Sequence, residues 1–230
     1  VNLVGGSHTF NPGNTFGGLG TLNFSGNVTV TASDGFAPAF ATVNHINGTL
    51  SPSVATSLTI PNGTTWNWTS GEFGAFTGII NDGVLNVNNS NQHNTSADIT
   101  NNADKTINWN GGWLDYYAGG QTLTNFGTFN LIGNNSTGFF CSISIVNKNG
   151  GEIVKGGTTS ANLNIIEPFT NESGGTVMVN TGSASLTFQG GNLTNDGDFS
   201  VSGGTVNLVG GSHTFNPGNT FGGLGTLNFS

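Results

Sequence analysis

The sequence predicts an all-β fold, a parallel β-solenoid with no significant helix, and three observations carry that prediction. Hydrophobic-x-hydrophobic triplets follow turns rich in Gly, Asn and Thr. Examples are Asn81-Asp82-Gly83-Val84-Leu85-Asn86-Val87, Asn125-Phe126-Gly127-Thr128-Phe129-Asn130-Leu131 and Asn195-Asp196-Gly197-Asp198-Phe199-Ser200-Val201. The triplets recur at intervals of 19–28 residues, the length of one solenoid coil. Apolar residues within each run alternate with a period of two, the period of a strand, and no long segment spaces them as a helix does.

Aligned on the first hydrophobe, the coils begin at Leu22, Val43, Trp66, Leu85, Ile107, Phe129, Ile153, Val177, Phe199 and Leu227. Nine coils then fill 205 residues. That number is also a longer period, because residues 1–25 recur without a change as residues 206–230. The chain 1–230 therefore reads as a single continuous solenoid segment, one 205-residue repeat plus a 25-residue overlap. The expected setting is a longer array of near-identical units, the alternative being a chain with deliberately duplicated ends. Each coil holds two or three short strands separated by Gly- and Asn-rich corners, where positive φ is often needed. The coil from Val177 shows the plan: Val177-Met178-Val179, then residues 184–189, then Leu193-Thr194. Two hydrophobes per strand cannot bury themselves within one coil, so the coils must stack and share a continuous core. At the ~4.8 Å strand spacing, nine coils advance about 43 Å. Many such periods would make a long, thin, stiff shaft.

Composition removes several function classes. With 17 Phe, 4 Trp and only 6% charged residues, the chain does not resemble a disordered one. Its 39 glycines follow no strict triplet, which excludes collagen. Lys105, Lys148 and Lys155 are the only basic side chains apart from histidine, against 11 acidic residues and a net charge of -8. Nucleic acid and anionic membranes both require cationic surface, so neither is an expected partner. No apolar run approaches the ~20 residues that span a bilayer, so no direct membrane insertion is expected. Few charges and mild acidity fit an extracellular setting. Cys141, the single cysteine, can form no intrachain disulfide and shares the inward parity of Ile143 and Ile145.

Candidate chemistry is sparse. Between the triplet hydrophobes runs an outward column, Asn23, Asn44, Asn67, Asn86, Asn108, Asn130 and Asn228, broken by Val154, Met178 and Ser200. Amides stacked at strand spacing can hydrogen-bond along such a column and act as a structural ladder. A regular ice- or glycan-facing surface is the alternative, although no sustained Thr-x-Thr array supports ice. Trp66, Trp68 and Trp109 lie on the hydrophobic parity and read as core. Residues 111–120 differ, because paired glycines bracket Trp113, Asp115, Tyr116 and Tyr117. These four are the candidate glycan contact, since sugar C–H faces stack on aromatic rings. The segment equally fits a second strand with Trp113 and Asp115 on one side and Leu114 and Tyr116 on the other.

Catalytic groups are not expected. Glycoside cleavage needs two facing carboxylates about 5–10 Å apart. Asp196 and Asp198 occupy a coil-entry turn, and Asp82 fills the same slot as Asp196 several coils away, a turn preference. No dense acidic loop suits calcium. His8 and His213 are copies of one position, His93 is isolated, and His45 falls on the inward parity, so no metal site, cofactor site or cofactor is expected.

The Asn-x-Gly-Thr-hydrophobic-Asn-hydrophobic cadence of residues 125–131, with its near-variant Gly203-Gly204-Thr205-Val206-Asn207-Leu208, resembles the β-helical stalks of giant bacterial surface adhesins. Haemagglutinin-like and autotransporter passenger proteins share it. The resemblance implies the shaft of an extracellular or cell-surface adhesin, fibre or appendage, and a non-enzymatic role. Its partners would be adjacent copies of the same repeat, parallel copies in a bundle or sheath, and surface glycans. The rival expectation is a carbohydrate-binding or carbohydrate-cleaving β-helix of tailspike type. Calcium-binding repeat toxins are a poor match, because their Gly-Gly-x-Gly-x-Asp nonapeptide is absent.

Overall fold

The structure is a computed structural model, and it describes residues 1–89, 91–116, 119–133, 139–156, 162–180, 185–190 and 192–230. The chain forms a parallel β-solenoid of about nine coils, with no helix among the described residues. One coil shows the plan. Val84–Val87 lies on a first face, Gln92–Thr95 on a second and Ile99–Asn101 on a third. Thr106–Trp109 then returns to the first face and pairs in parallel with Val84–Val87. The first and second faces belong to one 20-stranded sheet and the third is a separate 8-stranded sheet.

Register follows the inward hydrophobes on every face. On the first, Leu22 pairs with Val43, Val43 with Trp66, Trp66 with Leu85, and Leu85 with Ile107. The column continues through Phe129, Ile153, Val177 and Phe199. Leu58, Ile79, Ile99, Leu123, Ile145, Phe169 and Leu193 stack in the same way on the third face. A shift by one residue would turn each strand's apolar set outward, so the core fixes the register. All of these column residues are buried, and they join one continuous hydrophobic cluster.

The last coil differs from the sequence expectation. Phe221, not Leu227, follows Phe199 on the first face, at a spacing of 22 residues. Leu227 pairs with Val206 on the second face. The physical reason is chain length. Val206 stands only seven residues beyond Phe199, enough to turn one corner but not to complete a coil, and Leu227 stacks on Val206 one coil later.

Corners between the third and first faces come in two lengths. Short ones read Asn-x-Gly, as at Asn125-Phe126-Gly127 and Asn195-Asp196-Gly197. A Cβ at Gly127 would lie 2.3 Å from the carbonyl oxygen of Lys105, so only glycine allows the short corner to nest on its neighbour. Long ones close as turns, with Lys105 N–H donating to Asn102 O at 3.1 Å and Gly175 N–H to Glu172 O at 2.9 Å. Their third residue takes positive φ, 61° at Asp104 and 80° at Gly174, as a type II turn requires.

Candidate functional site

Side-chain amides form two columns along the solenoid. The exposed-side column runs on the first face from Asn2 through Asn23, Asn44, Asn67, Asn86 and Asn108 to Asn130. Each amide donates to the oxygen of the preceding coil at 2.7–2.9 Å. Val154, Met178 and Ser200 follow in the same register. Asn228 does not share this column. It lies on the second face and donates to Asn207 at 2.9 Å, which in turn donates to the Thr187 hydroxyl at 3.1 Å.

A second column is fully buried and was not anticipated from the sequence. Asn81, Asn101, Asn125, Asn147, Asn171 and Asn195 end the third-face strands with their side chains sealed from solvent. Each of the first five donates to the amide oxygen of the following coil at 2.7–2.8 Å. Each column member also reaches corner carbonyls. Asn125 Nδ2 lies 3.0 Å from Gly127 O and 3.1 Å from Glu152 O. The column thus satisfies backbone oxygens that the tight corners turn inward and away from water.

A third column supplies donors at the corner between the first and second faces. His45 Nε2 lies 3.1 Å from Gly48 O, and Trp68 Nε1 donates to Gly71 O at 3.3 Å. Trp109 Nε1 donates to Gly111 O and Gly112 O, both at 3.1 Å. Lys155 occupies the same register, buried, with Nζ donating to Leu131 O and Gly156 O at 3.2 and 2.9 Å. Burial pushes its ammonium below the ordinary lysine range. Four different side chains therefore perform one task, capping inward carbonyls where the chain turns.

His45 and His93 are neutral members of this core. Burial is the main cause that holds His45 at about 4, with a smaller repulsive contribution from His93. His93 is also lowered by burial, against hydrogen bonds to backbone carbonyls including that of Trp68. Nδ1 of His45 is buried without a partner among the described residues, so a second proton there would find no acceptor. The unfolded chain binds these protons from about pH 6.5 downward while the folded one does not. Stability is therefore full above pH 6.5 and falls as the pH drops toward 4. His45 alone is expected to cost about 3 kcal/mol over that range. Urea midpoints at pH 7.5 and 4.5 measure this loss, and His45→Phe should reduce the difference.

The anticipated glycan residues fall on the second face. Trp113–Tyr116 is a strand whose Leu114 is buried, while Trp113 is 44% exposed. Trp113, Asp115, Ser142 and Ile166 line a shallow cavity of about 310 Å³. Stacking brings these four together from three successive coils. Asp115 accepts from Gln92 Nε2 at 2.6 Å on one side and from the Ser142 hydroxyl on the other. The backbone of Tyr116 pairs with Thr95, and Tyr117 lies outside the described residues.

Elsewhere the acidic groups serve the stack. Asp196 accepts from the Asn216 amide of the next coil, and Asp198 accepts from Thr220 N–H at 3.3 Å. Among the described residues no group of three metal-binding side chains occurs. No helix of the described chain is long and apolar enough to cross a membrane. Cys141 is buried between Leu114 and Ile165, and burial pushes its thiol up to about 12. Comparison of the chain with protein-family models, curated proteins and solved structures returns no match.

Proposed function

We propose that this chain is a structural repeat, the stiff shaft of an extracellular adhesin, fibre or appendage, without catalytic activity. One observation carries the reading: among the described residues, parallel strands stack coil on coil on the first and second faces along the chain, and on the third from Leu58–Ile60 to His213–Phe215. Such a stack has sheet edges only at its two ends, and a repeated sequence offers each end a matching coil. Length is then set by copy number, and stiffness by the shared core and amide columns. Low charge leaves parallel shafts little mutual repulsion, which favours bundles or a sheath. The test is electron microscopy of the full-length native material. Long, thin fibres whose copies advance by about one period along the axis support the shaft, and compact particles would end it.

A second reading has its own observation, the exposed Trp113 beside Asp115 and Ser142. An indole beside a shallow, largely apolar depression suits the C–H face of a sugar ring, with the Asp115 carboxylate, fixed by two neighbours, available to its hydroxyls. On this reading the shaft also holds glycans along its side. Affinity electrophoresis through gels containing neutral polysaccharides should show retardation that Trp113→Ala removes while leaving the urea midpoint almost unchanged. Equal mobility of both proteins in every gel would remove this reading.

A further inference from the structure

We infer that the 205-residue period closes after nine and one-third coils. Each following copy is therefore rotated by one face about the shaft axis, its residues 26–52 seated on the open edge of residues 206–230. The inference rests on the shaft reading only for the existence of a following copy.

The two identical segments provide the argument, because the fold places them on different faces. At the start, Asn2 pairs with Asn23 and Leu22 with Val43, all on the first face. At the end, Val206 pairs with Leu186 and with Leu227, and all three lie on the second face. Strand register within the segment is nevertheless the same in both copies. Asn2 and Asn23 stack at a spacing of 21 residues, and so do Asn207 and Asn228. The Gly-Leu-Gly corner projects its leucine in both, Leu19 at 99% exposure and Leu224 at 96%. One coil thus appears twice in the same register, turned by one face.

What differs is the cover. Phe24 is fully buried, whereas its copy Phe229 is 72% exposed. Residues 26–52, with Trp66 of the coil beyond them, make that difference. Val43 and His45 stack on Leu22 and Phe24. The Asn44 amide donates to Asn23 at 2.8 Å, and Ile46 N–H donates to Phe24 O at 2.9 Å. The edge of residues 206–230 offers the same atoms in the same order. The partner that fits it is another copy of residues 26–52, and that copy would begin on the second face where this chain begins on the first.

The rise per period is then about 45 Å, and three periods, about 135 Å, restore the original face. A lateral feature such as the Trp113 depression would appear in turn on all three sides of the shaft. A partner approaching from any direction would meet one within three periods.

Engineered disulfides in the 230-residue chain test the register. Neighbouring parallel strands place Cα atoms within the range a disulfide spans. Asn23→Cys with Asn44→Cys is the positive control, and buried Cys141 does not compete. The expected result is an intramolecular bridge for Asn207→Cys with Asn228→Cys and none for Ser200→Cys with Asn228→Cys. The reverse would return Leu227 to the first face in one long coil and overturn the inference. So would a formed control with neither test bridge, because the end coil would then not be stacked. Helical reconstruction of a chain carrying several periods supplies the second arm, with equivalent points expected a third of a turn apart. Equivalent points on one side would overturn the rotation. Compact particles from a chain whose 207–228 bridge forms would overturn the shaft reading and the seating of a following copy, while leaving the end-coil register standing.

Discussion

Asn125→Ala should lower the free energy of unfolding by about 4 kcal/mol, while Asn108→Ala should cost about 1 kcal/mol or less. Both residues belong to amide columns with similar hydrogen-bond lengths, but Asn125 is buried and also holds two backbone carbonyls. At Asn108 water replaces a lost partner. At Asn125 it cannot, and several groups are left short at once. Asn101 loses its acceptor, Asn147 Oδ1 loses its donor, and the oxygens of Gly127 and Glu152 lose an amide hydrogen. Asn125→Asp keeps the shape but cannot donate when ionised, so above neutral pH it should cost at least as much as alanine. Urea denaturation followed by tryptophan fluorescence measures all three variants. Equal costs at positions 108 and 125 would mean that water reaches the inner column.

Trp66→Ala is the other large effect expected, roughly 3–5 kcal/mol. Its ring is fully buried, stacks on Phe24 at 5.8 Å and meets Phe73 edge-on at 5.7 Å. Truncation leaves a cavity that coils held by their neighbours cannot collapse to fill. Trp66→Phe should cost far less than Ala. The indole N–H has no partner among the described residues, so the smaller ring removes an unsatisfied donor while it keeps most of the contact. A phenylalanine variant as unstable as the alanine one would show that the indole itself, and not the volume it fills, decides the site.

The first face was legible because its sequence carries strict alternation, and Leu22 to Phe199 pair in the register that spacing predicts. The exposed asparagines were legible for the same reason, since they stand between the inward residues. The buried column was hidden by its corners. Asn81, Asn125 and Asn195 precede the next first-face hydrophobe by four residues, but Asn101, Asn147 and Asn171 precede it by six. Short and long corners alternate irregularly, so a column straight in space is ragged in sequence, and Asn-x-Gly reads as a turn. Lys155 escaped notice because a lysine behind a valine ordinarily faces water. Its column-mates His45, Trp68 and Trp109 look unrelated until their N–H groups are seen on equivalent carbonyls. The displaced Leu227 had a numerical trace in the spacing of 28 residues, the longest in the series and the sum of a 21-residue coil and a seven-residue step. Trp113 and Asp115 could be placed side by side from parity alone. Ser142 and Ile166 join them only through stacking of coils whose lengths differ.

The two amide columns overlap without coinciding. The outer one spans Asn2 to Asn130, the inner one spans Asn81 to Asn195, and Asn207 with Asn228 begins another. In mechanical language these are lap joints. Pulling along the axis loads the hydrogen bonds between coils in tension, and a single seam of amides would give way at its end. Here the inner seam is already engaged two coils before the outer one stops. Axial load can pass from one to the other without a coil joined by backbone bonds alone, much as staggered fibres carry a rope past the end of any one strand.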